Sequence, residues 1–202
     1  MELPDFTVEH LKQLPLRAIV AFAARCARRI EPLAQRPEGD PERESRGVAI
    51  EAALRMAEDF AGGTGAAPDP SVVEAIDAIA AAPGGSLGSR GAAAAATWAA
   101  HAAVSAWHVM GSREAEKEEP PEEKTAEARK FLGALAHVTA DLAALDAFTA
   151  AVDAYDAIGY RNEEFVAAAL NDYDRLLRLK LGRYPEPGEP IDPSPDGPLG
   201  RL

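Results

Sequence analysis

Apolar residues recur along this chain with a helical period in segment after segment, and glycine or proline separates the segments. Thr7, before Val8-Glu9-His10, reads as the cap of a short first helix, and Pro15 restarts the chain. At roughly 100° per residue, Leu16, Ile19, Phe22, Ala23, Cys26, Ile30 and Leu33 fall on one side of the next helix, with Arg17, Arg25, Arg28 and Arg29 on the other. This predicts a surface helix with one buried stripe. Asp40-Pro41 is the next start signal, with Ile50, Ala53, Leu54, Ala57 and Phe60 inward and Gly62-Gly63 as the stop. Asp69-Pro70 repeats that signal. Val72, Val73, Ile76, Ile79 and Ala80 make a short helix, closed by Pro83-Gly84-Gly85-Ser86.

Residues 91–110 form an alanine block with Trp98 and Trp107 embedded on opposite sides. A helix apolar all round is central, so this segment is expected to be surrounded by the others, each indole against a different neighbour. Gly111 to Glu123 is highly charged and ends its turn signals in Pro120-Pro121, which predicts an exposed loop. In the helix that follows, Phe131, Leu135, Val138, Leu142 and Leu145 are spaced four, three, four, three, the heptad seam. The apolar side then rotates, because Phe148, Val152 and Tyr155 lie roughly 120° away. A helix of roughly forty residues is long for a small domain, so a bend is expected between Thr139 and Asp146, the alternative being a change of packing partners. Gly159 ends it. Asn162 caps a last helix with Phe165, Val166, Ala169, Leu170, Tyr173, Leu176 and Leu177 inward, and Gly182 stops it. Residues 183–202 hold six prolines and three glycines, which predicts an extended or partly disordered tail. The strand signal is close to absent, and no repeat period is visible. The expectation is an all-α protein: a single domain, residues 1–182, built as a compact bundle of six to seven helices around the alanine-rich one, with a proline-rich tail at 183–202.

Composition sharpens this picture. Forty-four of the 202 residues are alanine and aromatics are only 6%, so the core must be aliphatic and its helices close together. Cys26 is the sole cysteine, which excludes an internal disulfide and every multi-cysteine zinc pattern. Its place mid-stripe predicts a buried, inert thiol rather than a nucleophile. The net charge of -12 argues against a nucleic-acid partner. The amino terminus lacks the basic start and apolar run of a secretory signal, and no stretch is expected to approach the ~20 apolar residues of a membrane span. A soluble, cytoplasmic protein is expected.

Candidate chemistry is sparse. His101 and His108 share a helix face, and His137 lies four residues from Asp141, a spacing that suits two ligands of one metal. No acid accompanies the first pair, so these histidines read as ordinary partly buried or surface residues. Asp146, Asp153 and Asp156 cluster on one helix side and, with Asp141, read as a solvated face rather than paired catalytic carboxylates. The glycine-rich Gly84-Gly85-Ser86-Leu87-Gly88 lacks the lysine of a phosphate loop and the preceding strand of a nucleophile elbow. The tail has Pro-x-x-Pro spacings with acidic flanks, a weak docking signal, and packing on its own bundle is an equal alternative. The face of Arg17, Arg25, Arg28 and Arg29, within a stretch from 16 to 30 that has no acid, is the best candidate partner-binding surface, suited to an acidic partner, a phosphate or the chain's own acidic tail.

The run Leu14-Pro15-Leu16-Arg17-Ala18-Ile19-Val20, with Cys26-Ala27-Arg28-Arg29, resembles alanine-rich all-helical proteins of GC-rich, planctomycete-like bacteria. That resemblance implies no activity, cofactor or site. The expected function is a non-enzymatic protein-interaction or regulatory module, without cofactor, whose partner is another protein. The alternatives are a metal-binding or enzymatic bundle using His101, His108 or His137 with carboxylates, and an acidic inhibitor of a basic toxin or nuclease.

Overall fold

Seven α-helices make up the regular structure of the described residues: α1 (Val8–Leu11), α2 (Leu16–Ala34), α3 (Arg43–Gly62), α4 (Pro70–Ala81), α5 (Leu87–Lys117), α6 (Thr125–Ile158) and α7 (Asn162–Leu179). The computed structural model describes residues 6–34, 43–64, 67–82, 86–117, 125–159, 162–194 and 196–201, and none of these is in a strand. The signals read at Asp40-Pro41, Pro83-Gly84-Gly85 and Pro120-Pro121 lie outside them.

Local chemistry sets most of the visible boundaries. The Thr7 N–H donates to His10 Nδ1 at 3.2 Å at the start of α1. Asp69 accepts from the Ser71 N–H at 2.9 Å, with Pro70 in the first turn of α4. Gly63 and Gly159, with φ of +69° and +68°, terminate α3 and α6 in the left-handed conformation that glycine adopts without strain. Two boundaries differ from expectation. The left-handed residue after α7 is Lys180, φ 52°, ahead of Gly182. The loop expected from Gly111 is helix as far as Lys117. Arg113, Glu114 and Glu116 are good helix formers, and charge alone does not interrupt a helix.

α5 and α6 form the most extensive helix pair, and α2 packs on both. Both helices bury alanine: Ala92, Ala95, Ala99 and Ala103 of α5 and Ala140, Ala144, Ala147 and Ala151 of α6. A Cβ added at Gly91 would lie 2.4 Å from that of Ala157, so the two backbones meet where not even a methyl fits. α5 also contacts α3 and α4, in keeping with a central place.

Two packing expectations are corrected, and for the tail one of two alternatives is seen. α2 is not a surface helix with one buried stripe. Ala18, Val20, Ala21, Ala24 and Arg25 are buried along with the predicted stripe, because α7 and the tail cover its far side. α6 runs unbroken from Thr125 to Ile158. Its change of apolar side is a passage from outside to inside: Leu135, Val138, Leu142 and Leu145 are exposed, whereas Tyr155 is buried. The tail, finally, is a strap without regular structure, docked on the bundle. The first-turn N–H groups of Leu16 and Arg17, which have no partner inside their own helix, donate to the carbonyls of Glu186 and Pro187, both at 2.9 Å. The Ile191 N–H donates to Ala61 O at 2.9 Å, and Ile191 and Leu199 are buried in the core.

Candidate functional site

The arginines predicted to form a free basic face are drawn inward instead. Arg25 is 1% exposed. Its Nε donates to Asp172 Oδ2 at 2.7 Å and its Nη2 to Oδ1 at 3.3 Å, the forked geometry that guanidinium and carboxylate favour. Its Nη1 donates to the carbonyls of Pro193 at 3.0 Å and Gly200 at 2.9 Å. Arg29 reaches the same Asp172 Oδ2 at 2.5 Å. Arg28 spans α2 and α3 through Glu31, Glu51 and Glu58. Arg17 donates to Gly188 O at 3.3 Å. This part of the surface is an internal lock between α2, α3, α7 and the tail.

Asp172 was missed by sequence reasoning, although a signal exists. On a helical wheel it lies roughly 20° from Phe165, inside the apolar face of α7. A carboxylate there is expensive unless paired, and Arg25 is likewise set among Ala18 and Ala21. A charge of each sign inside an otherwise apolar face marks such a pair.

The histidines stay apart. His101 Nε2 lies 3.0 Å from Asp77 Oδ1 of α4. His108 packs edge-on against Trp107, and His137 sits across from the Tyr184 ring. Among the described residues no three His, Cys, Asp or Glu side chains come together as a metal site. The acids expected on a solvated face are divided. Asp156 is exposed. Asp146 and Asp153 turn toward α5, where they meet Ser105 at 3.2 Å and Trp98. Burial pushes both carboxyls above their usual range. Asp141 is held below its usual range, first by the hydroxyl of Tyr184 and then, against some desolvation, by Lys12. The Tyr184 Oη–Oδ1 distance is 2.5 Å and the Lys12 Nζ–Oδ1 distance 2.9 Å. Cys26 is buried, and loss of solvation raises its thiol to about 12, which leaves it without nucleophilic character near neutrality.

What remains is the outward face of α6. Phe131, Leu135, Val138, Leu142 and Leu145 are between 44% and 69% exposed. The same heptad spacing that read as a seam is present, but it faces away from the bundle. The other sides of the helix bury alanines, among them Ala140, Ala144, Ala147 and Ala151. The segment Lys130–Ile158 is long and apolar enough to cross a membrane, which corrects the expectation that no stretch approaches a span. Its length is shared between this outward face and the buried alanines. No protein-family model, curated protein or solved structure matches the chain.

Proposed function

We propose that this chain is a non-enzymatic helical module that binds protein through the outward face of α6. The observation that carries the reading is the exposed row of five large apolar side chains. Half-exposed leucines and a largely exposed phenylalanine present on the order of 500 Å² of contiguous apolar surface, near the top of what an isolated monomer shows. At about 25 cal/mol per Å², on the order of 10 kcal/mol of burial is left unrealised. A partner helix recovers part of it, since four-three spacing is the register into which another helix inserts its side chains. Arg17, Arg25, Arg28 and Arg29 are engaged in holding helices and tail together.

A photo-crosslinking residue placed at Leu142 tests this in the native host, with the exposed Ala78 of α4 as the control position. Protein adducts are expected from position 142 and not from position 78. Absence of adducts at 142 would remove the reading.

A further inference from the structure

We propose that the occupant of the outward α6 face is a second copy of this chain, which lays the same face against it in a symmetric helix pair. The inference rests on the reading of α6 as a binding face and names what covers it.

A two-fold interface requires a surface complementary to itself. An uncharged apolar ridge meets that condition; a surface of one charge does not. Each copy carries a net charge of -12, so two copies can approach closely only along a strip free of acids. The α6 row is such a strip, with Phe, Leu, Val, Leu and Leu at its five seam positions.

Two of the acids near it, Asp141 and Asp146, have partners within their own copy, while Glu127 is exposed one turn before Phe131. Asp141 is engaged by Lys12 at 2.9 Å and by Tyr184. Asp146 accepts from Ser105 of α5 at 3.2 Å.

The area fits a modest dimer. Two faces of on the order of 500 Å² bury about 1,000 Å² in total, the lower edge of a specific interface, which points to association at micromolar concentrations. The row spans fifteen residues, or roughly 21 Å of helix, enough for two heptads to interlock. A lipid surface is the poorer match. Helices that lie on membranes flank their apolar face with lysine and arginine, whereas α6 has neither from Phe131 to Ile158.

Sedimentation velocity of the purified full chain, from about 1 to about 200 μM, is the primary test. Mass is expected to rise from 21.3 kDa toward twice that value. Added salt should strengthen the pair, because it screens like charges. Leu142→Glu should weaken it on the order of 30-fold or more. That side chain is 47% exposed, so helicity by circular dichroism is expected to be unchanged.

A second measurement does not depend on the glutamate variant. Cys26 is buried, so a single added thiol reports alone. Val138 is the midpoint of the row and lies beside its own copy in either helix direction. Val138→Cys should therefore form a disulfide-linked dimer under mild oxidation, and Ala78→Cys should not.

A constant monomer mass, or a dimer that Leu142→Glu and Val138→Cys do not report, would overturn the proposal. So would a chain that stays monomeric yet co-sediments with neutral vesicles. If the purified chain is monomeric while crosslinks from position 142 capture a different protein, self-pairing fails and the binding-face reading stands. If position 142 gives no adducts of either kind, both fall.

Discussion

Replacing Arg25 by methionine removes the guanidinium at the centre of the α2–α7–tail lock while keeping most of the side chain's volume. Both Arg25 and Asp172 are 1% exposed, so the change leaves a buried carboxylate with Arg29 as its remaining partner. Breaking a buried ion pair from one side costs about 3–5 kcal/mol. Arg29 reduces that cost by continuing to hold Oδ2. The carbonyls of Pro193 and Gly200, which lose their donor, increase it. A net loss of about 3–4 kcal/mol is expected, or roughly 10 °C in Tm for a chain of this size. Arg25→Lys separates charge from geometry. A lysine keeps the positive charge but cannot fork onto Asp172 and reach the tail carbonyls together. It should therefore recover only part of the loss. Urea unfolding gives the equilibrium value, and limited proteolysis between residues 183 and 201 shows whether the strap loosens before the bundle opens. A methionine variant within about 1 kcal/mol of wild type, with an equally resistant tail, would refute the claim that this pair holds the strap.

Three further outcomes follow from the packing and the buried acids. Gly91→Ala puts a methyl 2.4 Å from the Ala157 Cβ and should cost about 1–3 kcal/mol in urea unfolding despite alanine's helix preference, whereas Gly111→Ala, with nothing within 4 Å, should gain about 0.5–1 kcal/mol. Asp146 has a raised folded-state pKa, chiefly from desolvation, so the folded form holds its proton more tightly than the unfolded chain. Its contribution is favourable at acid pH and is lost as pH rises above the ordinary carboxylate range. Asp146→Asn should thus stabilise at pH 7, and the gain should shrink in unfolding curves taken at progressively lower pH. Cys26, with its thiol raised to about 12, should resist iodoacetamide in the folded protein and react once denaturant opens the core; prompt labelling under native conditions would contradict its burial.

Alanine explains why this fold tolerates an unpaired leucine row. Helices that meet through methyl groups pack with their backbones close, and α5 against α6 is the extreme case, with a glycine at the contact. The attraction is spread over many short contacts rather than a few large side chains. The core is then complete without Phe131, Leu135, Val138, Leu142 and Leu145 of α6, which stay exposed.

Much of the secondary structure was legible in the sequence because its causes are local. Asp69-Pro70, Gly63 and Gly159 act within one turn of chain, and the helices of α2, α3, α4 and α7 announce themselves by period. Charge misled at Gly111–Lys117, where no helix breaker intervened. Which face each helix buries was decided only by the tertiary structure. A wheel ranks Leu142 above Ala144 as a core residue and Arg25 below both. It carries no information on the neighbour. Where α5 presents Gly91, only a residue as small as Ala157 fits, and the leucines of α6 lie on its exposed side. α7 and the strap bring Asp172 and a set of carbonyls over α2, so Arg25 is solvated by protein and goes in. Local propensity determines that a segment is helical; complementarity with partners distant in sequence determines what that helix hides and what it offers.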